Sequence, residues 1–201
     1  MNADEIMEQE DFRRCAAFHG HICPGLAIGY RAGKAGLSWL QEKRSPDEEM
    51  VTTVETTACG TDALQVLTGC TLGQGNLLYR DCGKHAYTLF SRKTGEGVRI
   101  VLQHGALTLS DRHLELIQKI RDDQATPEEK KEFQSLHLEK ARELLEKPLD
   151  ALFNMRPASV PVPEKAMIEP SMPCDRCHEP TMVSKLTRIN GQSLCRDCAE
   201  S

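Results

Sequence analysis

The stretch Met50-Val51-Thr52-Thr53-Val54-Glu55-Thr56-Thr57-Ala58-Cys59-Gly60-Thr61-Asp62-Ala63-Leu64 changes character midway, and that change decides the fold class. As far as Thr57 it is rich in valine and threonine, β-branched residues that suit a pleated strand. Ala58-Cys59-Gly60 then turns the chain. From Thr61 or Asp62 onward, Ala63, Leu64, Leu67 and Cys70 fall at helical spacing. A strand that passes through a cysteine-bearing turn into a helix predicts a chain that mixes both structures.

Reading back toward the N-terminus, Asp11 to Phe18 is a short amphipathic helix. Pro24 to about Lys43 is a second, because Leu26, Tyr30, Gly33, Leu37 and Leu40 form one seam and Pro24 suits a first helical turn. Gly25, Gly29, Gly33 and Gly36 lie in this helix, although an interior glycine costs roughly 1 kcal/mol against alanine. Close approach of another backbone explains them; a broken helix is the alternative. Ser45 to Glu49 reads as a turn or the start of a short helix.

Reading forward, Gly73 to Asn76 is a loop, and Leu77–Arg80 and Lys84–Lys93 are strands. Thr94 to Gly97 turns the chain into a returning strand, Val98–Leu102. Ser110 caps a helix carrying Leu114, Ile117 and Ile120. Thr126-Pro127-Glu128-Glu129 is a capping box that opens another, which ends at Pro148. Five prolines between Arg156 and Pro173 mark an extended connector. The organisation expected is an α+β core over residues 1–150, a linker over 151–173 and a small cysteine-rich domain over 174–201.

The formal net charge is −5, and no segment is basic enough for a general grip on nucleic acid. No run of 18 apolar residues occurs, and the acidic N-terminus lacks the basic and apolar regions of a signal peptide. A cytoplasmic protein is expected, with no membrane association. Its nine cysteines then read as metal ligands or reactive thiols rather than disulfides.

Four of them form two pairs, Cys174/Cys177 and Cys195/Cys198, with 17 residues between. That spacing matches a four-thiolate zinc site. So small a segment cannot hold together by apolar burial alone, so the metal would supply its folding energy. His178 reads as a bystander. Val183–Leu186 and Leu194 are expected to form a hairpin around Asn190-Gly191. Fingers of this kind dock proteins or nucleic acid, and equal numbers of acidic and basic residues in the tail favour a protein.

A second set of donors lies in His19-Gly20-His21-Ile22-Cys23-Pro24-Gly25. Cys59, at the start of a helix, feels the positive end of the helix dipole and is prepared to bind metal or react. If the two regions meet, His19 or His21, Cys23 and Cys59 can hold a core metal ion, with a position left for water or substrate. Cys59, His21 and Asp62 are then the catalytic candidates, Asp62 orienting a histidine. Lys84 and His85 are expected near the same cleft. Cys70 reads as a buried small hydrophobe, and Cys15 and Cys82 as uninvolved. His104, His113 and His137 are expected in solvent.

The His19–Gly25 run, the block Glu55–Gln65 and the block Thr68-Gly69-Cys70-Thr71-Leu72-Gly73-Gln74-Gly75-Asn76-Leu77 together resemble the signature of the FmdE family, proteins related to formylmethanofuran dehydrogenase. The likeness covers roughly residues 11–147. It implies a thioredoxin-like core with a mixed sheet flanked by helices, a C-terminal treble-clef zinc finger and a homodimer. It also implies a metal-binding accessory role beside a one-carbon or molybdopterin-type redox enzyme. The chain has no molybdopterin-scale domain and no ferredoxin-type cysteine run, so it is not the catalytic component of such an enzyme. Two other functions stay open. One is an enzyme acting on a small ligand through a metal or thiolate; the other is a regulator that senses ligand or metal and grips a partner with the finger.

Overall fold

A computed structural model describes residues 1–45 and 47–201. Pro46, within the turn expected at Ser45–Glu49, lies outside the described residues. The chain divides into two compact units, Met1–Lys165 and Ala166–Ser201.

The first unit grows from the strand–turn–helix stretch. Strand β1 (Met50–Val54) leads through Cys59 into a helix, Gly60–Thr68, which returns the chain to β2 (Leu77–Tyr79). β2 runs parallel to β1, with Thr52 opposite Leu77. On the other side of β1, β3 (Ala86–Ser91) pairs antiparallel, and β4 (Gly97–Leu102) and β5 (Phe153–Pro157) continue the sheet. The order is β2-β1-β3-β4-β5. A parallel β-α-β unit joined to an antiparallel hairpin is the thioredoxin-like arrangement, in a mixed sheet.

Helices α1 (Ala3–Met7), α2 (Glu10–His19), α3 (Pro24–Leu40), α4 (Gly60–Thr68), α5 (Asp111–Arg121), α6 (Pro127–Glu146) and α7 (Leu149–Leu152) complete this unit. One sheet face supplies Met50, Val54, Tyr87, Leu89 and Ile100 to a core shared with Leu26, Leu64 and Leu144. Alternation along each strand sends the intervening residues to the opposite face.

The glycines of α3 are packing devices. A Cβ on Gly29 would lie 2.1 Å from the Gly60 carbonyl oxygen, and one on Gly33 would lie 2.6 Å from a Leu67 methyl. The missing side chains let α3 and α4 touch backbone to backbone, which brings the two helix N-termini together. Residues 153–157 depart from the expected connector. Phe153 faces Leu102 and Arg156 faces Arg99, so this segment is the fifth strand. Its single proline sits at the strand's end, on the sheet edge, where a missing N–H is tolerated. The stretch after it stays extended, and the Arg92 guanidinium donates to the carbonyls of Pro163 and Glu164.

In the second unit, β6 (Ser171–Pro173) and β7 (Pro180–Met182) flank a cysteine turn. β8 (Thr187–Ile189) and β9 (Gln192–Leu194) form a hairpin, and α8 (Arg196–Glu200) closes the unit. The hairpin turns at Asn190-Gly191 as expected, both residues having positive φ. Its first arm lies further along than expected, because Val183–Lys185 makes a short 3-10 turn. Among the described residues no helix is long and apolar enough to cross a membrane.

Candidate metal centres

The second unit buries little that is apolar: among its described residues only Cys174 and Leu194 are fully covered. Its thiols take over the work of a core. The sulfurs of Cys174, Cys177, Cys195 and Cys198 all lie within 4.8 Å of one another. The Cys177 and Cys195 Sγ atoms are 3.8 Å apart. Two sulfurs bound tetrahedrally at about 2.3 Å from one ion are about 3.8 Å apart, so the geometry fits a four-thiolate metal site. His178 adopts φ 63°, and its N–H donates to the Cys174 carbonyl at 2.9 Å, which curls the first pair into a knuckle. The second pair sits at the head of α8, with Cys195 just before it and Cys198 in its first turn. Backbone N–H groups of Cys177 and Cys195 hold the Cys174 thiol down to about 6, while burial and the neighbouring thiols push Cys198 up to about 12. Sulfurs that share protons so unevenly are those a dication would relieve.

The core cluster is assembled differently. Gly20, left-handed at φ 89°, ends α2 immediately after His19. Two residues later the Cys23 side chain caps α3, its sulfur accepting from the Leu26 N–H at 3.3 Å, with Pro24 in the first turn. The loop is therefore short and pinned at both ends. The His19 and His21 rings lie 4.5 Å apart between centroids, tilted by 35°. Ligand atoms of His19, His21 and Cys23 fall within 4.8 Å of one another.

Cys59 reaches this loop from the start of α4. A Cβ on Gly25 would meet Cys59 Sγ at 3.6 Å and Cys23 Sγ at 3.8 Å, so both thiols crowd the same spot. Cys23 is the first cause of a Cys59 thiol held down to about 5, and His19 adds to it; Cys23 itself is raised, by Cys59 and by burial. Burial pulls the His19 imidazole down, but the Asp62 carboxylate and Cys59 outweigh it and leave His19 above its ordinary value. Asp62 lies one turn into α4 and meets His19 Nδ1 at 2.7 Å. That bond leaves Nε2 free, and Nε2 stands 3.7 Å from Cys23 Sγ. A nitrogen and a sulfur on one tetrahedral ion would be about 3.6 Å apart. A carboxylate on the far nitrogen of a ligating histidine is the usual support for such a ligand.

The fold thus brings His19, His21, Cys23, Cys59 and Asp62 together. Other expectations change. Lys84 lines a cavity on the opposite sheet face, because its place just before β3 directs it away from the helices. His113 is buried, not in solvent: its Nε2 meets His137 Nδ1 at 2.6 Å in the seam between α5 and α6, and burial lowers both imidazoles. Cys70 is buried beside Thr52, Cys15 is buried, and Cys82 is exposed. Sequence reading missed Tyr87. Its fully buried hydroxyl has no partner among the described residues and would lie 2.5 Å from a Cβ on Gly60, against the start of α4. Its alternation within β3 marked it only as a core position.

Fold and clusters define a mixed α+β protein with a histidine–cysteine cluster where two helix N-termini meet, and a four-cysteine tail. The family described as "FmdE, Molybdenum formylmethanofuran dehydrogenase operon" matches residues 18–154, and the chain belongs to it. It is 34% identical over 195 residues to a "Probable S-adenosyl-L-methionine-binding protein" of Archaeoglobus fulgidus. That alignment covers 94% of this chain and 52% of the relative, so the chain spans about half of the archaeal protein's length. Among solved structures it is similar to an FmdE-like protein of the tungsten formylmethanofuran dehydrogenase type from Syntrophus aciditrophicus. The two are 25% identical with a TM-score of 0.57, over 98% of this chain and 91% of the other.

Proposed function

We propose that this protein is a metal-binding accessory protein with two sites of different purpose. The tail holds zinc through Cys174, Cys177, Cys195 and Cys198, and that zinc is structural, since four thiolates leave no open position. The core holds a second metal ion through His19 Nε2, Cys23 Sγ and Cys59 Sγ. His21 is the exchangeable fourth donor, being exposed where the other three are partly or fully covered. When bound, such an ion supplies Lewis acidity at one open position. Asp62 fixes the His19 ring, and the head of α4 favours the thiolate form of Cys59.

The observation that carries this reading is the Asp62–His19 hydrogen bond, which aims the second imidazole nitrogen at the Cys23 sulfur. Elemental analysis tests it. Wild type should hold one tail metal and up to one core metal per chain. Cys59→Ser and His19→Ala should lose the core metal only, and a truncation ending at Lys165 the tail metal only. An unchanged metal content in both point variants removes the core site.

The accessory role beside a redox enzyme, with the finger as the docking element, rests on the family's operon description and on the likeness to the Syntrophus protein. A homodimer belongs to the same reading, and light scattering of the purified chain checks it. The half-covered Cys59 thiol favours one alternative, a thiolate-dependent enzyme. Under that alternative, iodoacetamide would modify Cys59 ahead of the other thiols in metal-loaded protein; protection of Cys59 by metal supports the ligand role.

A further inference from the structure

The sheet face turned away from α3 and α4 carries a cavity of about 540 Å³, within the usual range for small-molecule sites. One cross-strand row lines its floor. Leu78 of β2 faces Thr53 of β1, Thr53 faces Thr88 of β3, Thr88 faces Arg99 of β4, and Arg99 faces Arg156 of β5. Residues directly opposite share a face, and like charges so placed destabilise a sheet. Arg99 and Arg156 are such a pair. Glu55 grips only Arg99, both carboxylate oxygens accepting from its guanidinium. Arg80 and Lys84 join the cavity wall and bear on the same carboxylate, which Arg99 first and these two further hold below its ordinary value.

Glu55 is therefore spent on one cation of four. Among the described residues no carboxylate lies within ion-pair distance of Arg80, Lys84 or Arg156. In a chain of net charge −5, this is a concentrated positive recess, walled by apolar Leu78 and Val160 and floored by two threonine hydroxyls. Arg99 is held in place by Glu55, and strands rather than loops set the positions of both arginines.

We propose that this recess binds a small molecule bearing a phosphate group. Arg156 and Lys84 meet the phosphate, Arg99 supplies a fixed positive floor, and the remaining volume receives the organic part. The site shares no residue with either metal cluster and stands or falls separately from them.

Isothermal titration calorimetry of the full chain tests it with adenosine 5′-monophosphate, inorganic phosphate and uncharged adenosine as probes. The monophosphate and inorganic phosphate should bind and adenosine should not, and raised salt should weaken both. Arg156→Gln and Lys84→Gln should each weaken the monophosphate tenfold or more. Arg14→Gln, an exposed cation on α2, should leave it unchanged. Arg156→Gln should melt at or above the wild-type temperature, because it removes a like-charge contact; a merely structural arginine would lower it. No binding of either phosphate probe at millimolar concentration, or equal binding by wild type and Arg156→Gln, overturns the proposal.

Discussion

The two metal clusters solve one chemical problem in opposite ways. The tail draws every ligand from a knuckle and the head of one short helix, and it has almost no apolar interior to position them. The core cluster takes a histidine from the end of α2, a thiol from the cap of α3 and another from the start of α4, three elements locked by a dense interior. In the tail the ion makes the fold; in the core the fold makes the ion's site.

The largest effect that would break this contrast is metal removal. Chelation should unfold residues 166–201, seen as loss of dispersed amide signals for the tail, while the core keeps its secondary structure and melting transition. A core that unfolds with the tail would contradict the division of labour.

Next comes Gly29→Ala. Its Cβ would meet the Gly60 backbone at 2.1 Å, and backbone cannot step aside as a side chain does. Thermal or urea unfolding should show a loss of about 3 kcal/mol or more in the core, the upper end for overpacking. Tail metal content should not change.

Asp62→Asn is milder and sharper. The ring of His19 loses its carboxylate but keeps its place, so core metal affinity should fall by about 10- to 100-fold in a competition titration, with the tail unaffected. An unaltered core affinity would mean that Asp62 does not act through His19.

Acid should produce the smallest change. Glu55 is held below its ordinary value by Arg99, so its pairing stabilises the fold above the unfolded carboxylate pKa and is lost as pH falls through the lower folded value. Chemical denaturation of the Lys165 truncation should show core stability declining below about pH 4.5, and Glu55→Gln should flatten that decline.

Much of this was legible in one dimension. Local signals placed the helices: the capping box at Thr126 and Glu129 is present in the structure, and so is the Ser110 cap. The hairpin between β3 and β4 followed from alternation and a glycine turn. Three readings went astray for one reason. The fifth strand hid among prolines, His113 was assigned to solvent and Lys84 to the wrong face, because each depends on what lies across from it. Pairing partners and covering helices are long-range facts, and a single residue's chemistry does not encode them.

Sequence alone determined the tail's ligand set, since two residues between cysteines bind the sulfurs to one knuckle whatever surrounds them. It also determined that His19, Cys23 and Cys59 could bind metal or react. Only tertiary structure decided that they meet, because the meeting needs α3 and α4 in backbone contact through Gly29 and Gly60. Only tertiary structure aligned Arg99 with Arg156, through a strand register that is set when the whole sheet closes over its core.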